Sequence, residues 1–405
     1  MDIVITGLQS YDNDIGCNSI NLAHEFAKNH RVLYVNYALD RLTLYREPKN
    51  PKVLFRKKII RGEAENLIKV ADNLWTLYPK TVLESIGQLP VNFLFDFLNK
   101  INNKRFARQI SIAMQTLGFS DIILFTDNDM FRSFYLKELL KPNLFIYYSR
   151  DYMIGADWWK RHGIRIEAEL IRKADLAVAN SVYLTNYLKK FNSCSYYIGQ
   201  GCDVSAFDRK LITSVPDDIR NMPKPIIGYI GALFTSRLDI DIIHLLATKH
   251  PEWSVVLVGP EDDGFKGSKL HQVKNIHFLG SRNPSALPSY LYAFDVAINP
   301  QILNEVTIGN YPRKIDEYLA MGKPIVATKT EAMEVFEGYT YLASTAGEYL
   351  KLTELALVED NEDLASQREN FARSHTWEAN VKAIFEAIEC MKRDKSPKTG
   401  NNDNR

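Results

Sequence analysis

The chain has 405 residues, 46% of them hydrophobic and 24% charged, with 50 Lys and Arg against 49 Asp and Glu. That length exceeds what one hydrophobic core serves, so two domains are expected, and a formal charge of +1 excludes the broad basic surface of a nucleic-acid binder. Four cysteines (Cys17, Cys194, Cys202, Cys390) lie far apart with no C-x-x-C pair, so neither a structural zinc nor a disulfide framework is expected, and no metal is assigned.

Met1 to Gly7 reads as a first strand and leaves no room for a signal peptide. No apolar run approaches the roughly 18 residues of a spanning helix. A cytoplasmic protein is expected. The loop from Gly7 to Gly16 follows that strand, and its glycines would let backbone approach a phosphate, although it is not a G-x-G-x-x-G fingerprint. Further short apolar runs at 32–36, 122–125, 144–148 and 176–179 alternate with helical stretches such as 19–29 and 166–173. That alternation predicts a parallel, doubly wound α/β sheet with helices on both faces.

Between these runs lie segments with other readings. Residues 41–61 carry Arg41, Arg46, Lys49, Lys52, Arg56, Lys57, Lys58 and Arg61 against a single Glu47, and residues 89–98 are apolar and aromatic. Together they form either a peripheral membrane patch, basic groups meeting anionic headgroups while aromatics insert, or a solvated loop beside a core helix. Asp127-Asn128-Asp129 has the look of a metal motif, but a turn with a helix cap accounts for it equally well. Asp151, after Arg150 at the end of a buried strand, is either an active-site carboxylate or half of an Arg/Asp pair.

The cluster Gly199 to Asp203 closes the first domain, taken as residues 1–208. The polar stretch 209–224, with two prolines, reads as a linker. The α/β pattern then restarts over 225–375: strands at 225–230, 253–258, 276–279 and 296–299, helices at 239–249 and 287–293. Two doubly wound units in succession place a ligand in a cleft at the carboxyl ends of the strands. An amphipathic helix follows at 376–393, then a polar tail, 394–405, expected to be disordered.

Residues 310–328 are the most specific segment. Pro312 suits a helix start, Ile315, Leu319 and Ala320 form an apolar stripe, and Gly322-Lys323-Pro324 ends the helix before a buried strand. Lys314 and Glu317 share the opposite side. They are either an ordinary surface pair or a phosphate cation at a helix N-terminus with a ribose-binding carboxylate one turn on.

This segment resembles the P-x-K-x-x-E-Y-L-A-x-G-K-P signature of the retaining GT-B glycosyltransferases, the large "group one" family, and within it the bacterial branch of teichuronic acid and capsule-type transferases. The resemblance implies a GT-B fold, with the helix that begins near Ser374-His375-Thr376-Trp377 crossing back onto the first domain. It assigns the donor ribose to Glu317 and the donor diphosphate to Lys314. Arg237, six residues after Gly231, takes the place of a family lysine, while Ala232 stands where the family has an arginine. The strand and turn His277 to Arg282 match the segment that pairs with the nucleotide base.

Eight residues before Glu317 the family has a second glutamate. Here that position is Gly309, with Glu305, Thr307 and Asn310 as nearby substitutes. The implied donor set is therefore Glu317, Lys314, Arg237, Asn310, Tyr311, Ser281, Arg282 and Gly231, with Gly7 and Gly16 from the first domain. Asp151, Lys314 and Arg237 are the implied catalytic groups. The expected activity is retaining transfer of a sugar, from UDP or GDP in preference, to a glycan or lipid-linked acceptor in cell-surface polysaccharide synthesis, without a further cofactor. A nucleotide-sugar epimerase and a non-catalytic nucleotide-sugar binder are the rival readings.

Overall fold

In the computed structural model, which describes residues 1–13 and 17–395, the chain divides into two compact units. The first comprises Met1–Gly199 together with the chain from Asn380 onward, and the second is Gln200–Ala379.

The main sheet of the first unit holds β1 (Asp2–Gly7), β2 (Arg31–Val35), β3 (Leu67–Ala71), β4 (Leu74–Leu77), β5 (Ile122–Asp127), β6 (Leu144–Ser149), β7 (Leu176–Ala179) and β8 (Ser195–Tyr197). They form one sheet in the order β8-β7-β6-β5-β1-β2-β4-β3, parallel except for the pair β3 and β4. Every residue of β1 and β5 is buried, as expected of strands covered by helices on both faces. The connection that leaves β1 for β2 and later returns to β5 makes a topological switch point between β1 and β5, where such sheets place ligands.

The apolar stretch near residue 90 runs into a 26-residue helix, Asn92–Leu117. Its buried face includes Asn99, Asn102 and Asn103 beside Phe95, Phe106 and Ile110. Polar residues on the core side blur the apolar periodicity, and for that reason the helix does not stand out in the sequence. Phe95 is fully buried, whereas Phe93 and Phe97 are 75% and 61% exposed, so the stretch 89–98 is part core and part surface. The basic segment also divides. Arg56 is buried, donating to Ser10 Oγ and lying 3.3 Å from Asp12, and Arg41 pairs with Glu84. These two cations brace the first unit.

The second unit holds β9 (Ile226–Ile230), β10 (Ser254–Val258), β11 (Ile276–Gly280), β12 (Val296–Asn299), β13 (Ile325–Thr328) and β14 (Tyr341–Ala343). They form an all-parallel sheet in the order β11-β10-β9-β12-β13-β14. Residues 209–224 depart from the expected linker. They hold a 3-10 turn, Arg209–Leu211, and a helical turn, Asp217–Arg220, whose Ile219 is fully buried. Arg209 binds Glu362 and Glu369, and Asp218 binds Arg282 at 2.7 Å. The segment is packed because its polar residues have specific partners, and the division between units falls at Gly199 instead of at residue 208.

The last helix, Trp377–Lys395, returns the chain to the first unit. There Asn380 Nδ2 donates to the Ile198 and Gly199 carbonyls at 2.7 and 2.9 Å, and Phe385 packs edge-on against Phe26. Asp394, assigned to the tail from sequence, lies in this helix and accepts from Tyr196 at 3.0 Å. The rest of the expected tail, 396–405, lies outside the described residues.

A buried acid gives the first unit a pH-dependent stability. Glu167 is 1% exposed and accepts hydroxyl hydrogen bonds from Tyr147 at 2.6 Å and Tyr187 at 3.0 Å. Burial raises its carboxyl from 4.5 to about 7, the two phenols partly offsetting that rise. The folded chain then keeps a proton that the unfolded chain releases. Stability contributed at low pH is lost as pH rises from about 4.5 to about 7, by on the order of 3 kcal/mol. Glu167→Gln should flatten the dependence of the urea midpoint on pH across that window; an unchanged slope would rule out this carboxyl as its source.

Candidate functional site

The carboxyl edge of the second sheet is built on glycine. The strands β9, β10 and β11 lie side by side and end at Gly231, Gly259 and Gly280, with φ of +145°, +152° and +68°. The Gly231 N–H donates to the Val258 carbonyl at 2.9 Å and the Gly259 N–H to the Gly280 carbonyl at 3.0 Å. A Cβ on Gly259 would overlap the Gly231 carbonyl oxygen. Only glycine permits both that backbone conformation and that approach, and the result is a shelf of closely packed main chain.

One helix stands over this shelf. It runs Lys314–Ala320 after Pro312 and Arg313, with Ile315, Leu319 and Ala320 fully buried, as their spacing requires. Tyr318 fixes its height. The phenol accepts from the Ile230 N–H at 2.8 Å and donates to the Ile230 carbonyl at 3.1 Å, so the helix is bonded to the last peptide of β9. Nothing in the spacing of the segment distinguishes Tyr318 from an ordinary aromatic of the apolar stripe.

Lys314 extends from the first turn toward the shelf. Its ammonium donates to the Tyr229 hydroxyl, lies 3.9 Å from the centre of the Tyr229 ring, and would stand 2.5 Å from a Cβ on Gly231. Glu317, one turn on, is half-buried and has no hydrogen-bond partner among the described residues. Burial pushes its carboxyl up, with the nearby Arg313 and Lys314 charges opposing the shift. A desolvated carboxylate without a donor, beside two cations, is poised to accept hydrogen bonds from a ligand.

The next residue back is structural. Asp316 is fully buried and bonded to His375 Nδ1 at 2.7 Å; burial raises its carboxyl and His375 partly offsets the rise. Tyr311 is buried against Phe336, with its hydroxyl 3.2 Å from the same His375 nitrogen. The Tyr311 side chain, expected on the donor, therefore belongs to the core.

The loops around the shelf are tied together. After Gly231, the Leu233 N–H bonds the Pro260 carbonyl at 2.8 Å, and the Thr235 N–H bonds Asp262 at 2.9 Å. The Arg237 carbonyl accepts from Ile302 at 2.9 Å, and Asn304 Nδ2 reaches the Ser236 carbonyl at 2.9 Å. Arg237 is exposed, and its guanidinium has no partner among the described residues. It lies in a turn before the helix Ile240–Lys249, which Asp239 caps.

Of the substitutes for the glutamate absent at Gly309, Thr307 is buried, and its hydroxyl donates to the Ile302 carbonyl at 2.5 Å. Glu305 is exposed, and Asn310 is half-buried with its N–H on the Thr307 carbonyl. Arg282 is committed elsewhere, donating to Asp218 at 2.7 Å and to the Tyr290 hydroxyl at 2.8 Å. Its guanidinium holds the segment 217–220 in place, and Ser281 beside it is exposed.

In the first unit, Gly7 ends β1 beside Asp127, which ends β5. Arg150 bridges two carboxylates, donating to Asp127 at 2.9 and 3.1 Å and to Asp151 at 2.8 Å. These charges hold its guanidinium well above its ordinary value. Asn128, at φ +53°, accepts from the Arg150 N–H at 2.7 Å and donates to the Asp151 carbonyl at 2.9 Å. Asp129 accepts from Arg132 at 2.9 Å, so Asp127-Asn128-Asp129 is a bonded turn. Asp151 is the Arg/Asp pair that its sequence context allowed, with 40% of its side chain exposed. Gly16 lies outside the described residues. Among the described residues, no group of three or more His, Cys, Asp or Glu side chains could hold a metal ion.

Comparison with known proteins agrees with this geometry. Residues 224–366 match the family model described as glycosyl transferases group 1, and the shelf, Lys314 and Glu317 all lie inside that stretch. TuaH of Bacillus subtilis (strain 168), a protein provisionally assigned as a teichuronic acid biosynthesis glycosyltransferase, is 24% identical over 232 residues. That match covers 54% of this chain and spans just 58% of the relative's length. Sucrose-phosphate synthase of Thermosynechococcus elongatus superposes with a TM-score of 0.65 at 15% identity, covering 97% of this chain and 99% of that one. HepE of Anabaena, solved with UDP, gives 0.64 at 18% identity over 96% of this chain and 100% of its own. These structural likenesses are of fold, and the fold is GT-B. The resemblance read from the signature segment is borne out.

The glycine shelf gives a direct test. Gly259→Ala should destabilise the protein by at least about 3 kcal/mol, measured as the midpoint of urea unfolding; a loss below about 1 kcal/mol would mean that the shelf backbone relaxes freely.

Proposed function

We propose that this protein transfers a sugar from a nucleotide diphosphate donor to a glycan or lipid-linked acceptor, with retention of configuration, in the assembly of a cell-surface polysaccharide. The observation that carries the proposal is the Lys314 ammonium over the glycine shelf, with Glu317 unsatisfied one turn further along the same helix. A diphosphate lying on Gly231 would meet exposed main chain, Lys314 and the unpartnered Arg237, and Glu317 would accept from the ribose hydroxyls. UDP is the favoured nucleotide because HepE, of the same fold, is known with UDP and with UDP-glucose.

In this reading the bond from the anomeric carbon to the diphosphate oxygen breaks while an acceptor oxygen bonds that carbon from the same face. The acceptor proton passes to the departing phosphate. The protein's part is electrostatic: the cations of Lys314 and Arg237 stabilise the charge that develops on the leaving group. No cofactor enters the reaction. Asp151 is proposed near the acceptor, its carboxylate oriented by Arg150. A peripheral contact with the inner face of the plasma membrane would use Phe93, Phe97 and the exposed cations of 46–61, since no helix among the described residues is long and apolar enough to cross a bilayer.

One observation favours a second reading, a non-catalytic nucleotide-sugar binder: Gly309 and Ala232 stand where the family places a glutamate and an arginine. Thermal shift with UDP, GDP, CDP, ADP and TDP comes first, because a ligand of the native state raises Tm. One nucleotide should stabilise the wild type and fail to stabilise Glu317→Ala; no shift with any of the five would remove the donor site. Turnover of the matching sugar nucleotide separates the two readings. Lys314→Ala should lower it at least about tenfold, whereas a wild type that binds and never releases the nucleotide would be a binder.

A further inference from the structure

Tyr229 and Lys314 meet across the end of a strand. Side chains of β9 alternate between the two faces of the second sheet. Ile227 and Tyr229 belong to the core on one face, with Val255 and Leu257; Ile226 and Ile230 belong to the core on the other, with Val256 and Val258. The helix 314–320 covers the second of these faces through Ile315, Tyr318 and Leu319. Lys314 therefore starts on one side of the sheet and Tyr229 on the other. Their contact passes over Gly231, where a Cβ would lie 2.5 Å from the ammonium and 2.9 Å from the phenol oxygen. The two side chains close a clasp around the strand end, and glycine leaves the gap for it.

The phenol in this clasp differs from its neighbours. Tyr318 bonds both polar groups of Ile230, and Tyr349 accepts from the Asn299 N–H at 3.1 Å and donates to the Val326 carbonyl. Those two hydroxyls tie helices to strands through the backbone. The Tyr229 hydroxyl instead accepts from a side chain, the Lys314 ammonium, and donates at 3.3 Å to the Ala232 carbonyl in the loop that leaves Gly231. The ring is 3% exposed, and for packing alone a phenylalanine would fill the same space.

The kind of partner matters as much as the contact. Among the described residues, the Lys314 ammonium forms no ion pair, and it lies 3.9 Å from the centre of the Tyr229 ring. A carboxylate in that place would also hold the lysine, but it would neutralise the charge and compete with an incoming phosphate. A ring face and a neutral oxygen attract the cation and leave its charge available. A lysine already ordered in this way also loses less freedom when the phosphate arrives.

We infer that Tyr229 is a positioning residue for the donor diphosphate and acts through Lys314, whose ammonium it holds over Gly231. The inference rests on the donor-site reading above. Calorimetric titration with UDP and with GDP tests it in a double-mutant cycle. The wild type should bind one of them, about threefold more weakly in Tyr229→Phe, which keeps the ring, and about tenfold more weakly in Tyr229→Leu, which keeps neither ring nor hydroxyl. With Lys314 already replaced by alanine, either substitution should cost less than about a further twofold, because the pair acts as one unit. Tyr229→Phe removes a single oxygen, so it reports even where Tyr229→Leu fails to fold. Losses of equal size with and without Lys314 would make Tyr229 a residue of the core only and overturn the inference, as would wild-type affinity in every Tyr229 variant that folds. Failure of the wild type to bind either nucleotide would remove the donor reading itself, and this inference with it.

Discussion

The close approach of main chain at Gly231, Gly259 and Gly280 is the constraint on which the second unit's site depends. Parallel strands end with their last N–H and C=O groups pointing past the sheet, and a side chain on any of them would cover that edge. Glycine leaves it bare. The Lys314 ammonium fits over Gly231 because no Cβ is there. A cation held against a phenol ring and its hydroxyl is kept in place without being neutralised by a carboxylate.

Holding that cation requires the short helix 314–320 to keep its position, and seven residues are too few to be stable alone. Two buried contacts secure it. Tyr318 bonds both polar groups of Ile230, and Asp316 bonds His375, which also meets Tyr311. Each of these four side chains, Tyr318, Asp316, His375 and Tyr311, is bonded to another of them or to the strand end, so loss of a partner would leave an unpaired group. Lys314 and Glu317, on the other side of the same helix, are left for a ligand. Lys314 and Glu317 share one face by their spacing, whereas Asp316 and Tyr318 point to different sides of the helix and are buried by separate partners, His375 and Ile230.

The first unit uses charge differently. Arg150 binds Asp127 and Asp151, and Arg56 binds Ser10 and Asp12, so these buried cations are structural braces.

Local sequence by itself determined the strands of both sheets that are buried on both faces. Ile122 to Phe125, Leu176 to Ala179 and Val296 to Asn299 are continuous apolar runs that no helix or loop would explain, and the 310–328 segment carries its own start, stripe and stop. The edge strands 67–71, 195–197 and 341–343 were not legible, because half-exposed runs of three to five residues carry little pattern. Tertiary structure alone decided which polar residues are free. Lys314, Glu317, Arg237, Arg282, Thr307 and Tyr311 are equivalent candidates in sequence; Arg282 is consumed by Asp218, Thr307 by its own loop, and Tyr311 by the core. The reason is physical: a backbone pattern is set by neighbours in the chain, whereas the availability of a side chain depends also on partners far along it, as Asp218 is 64 residues from Arg282.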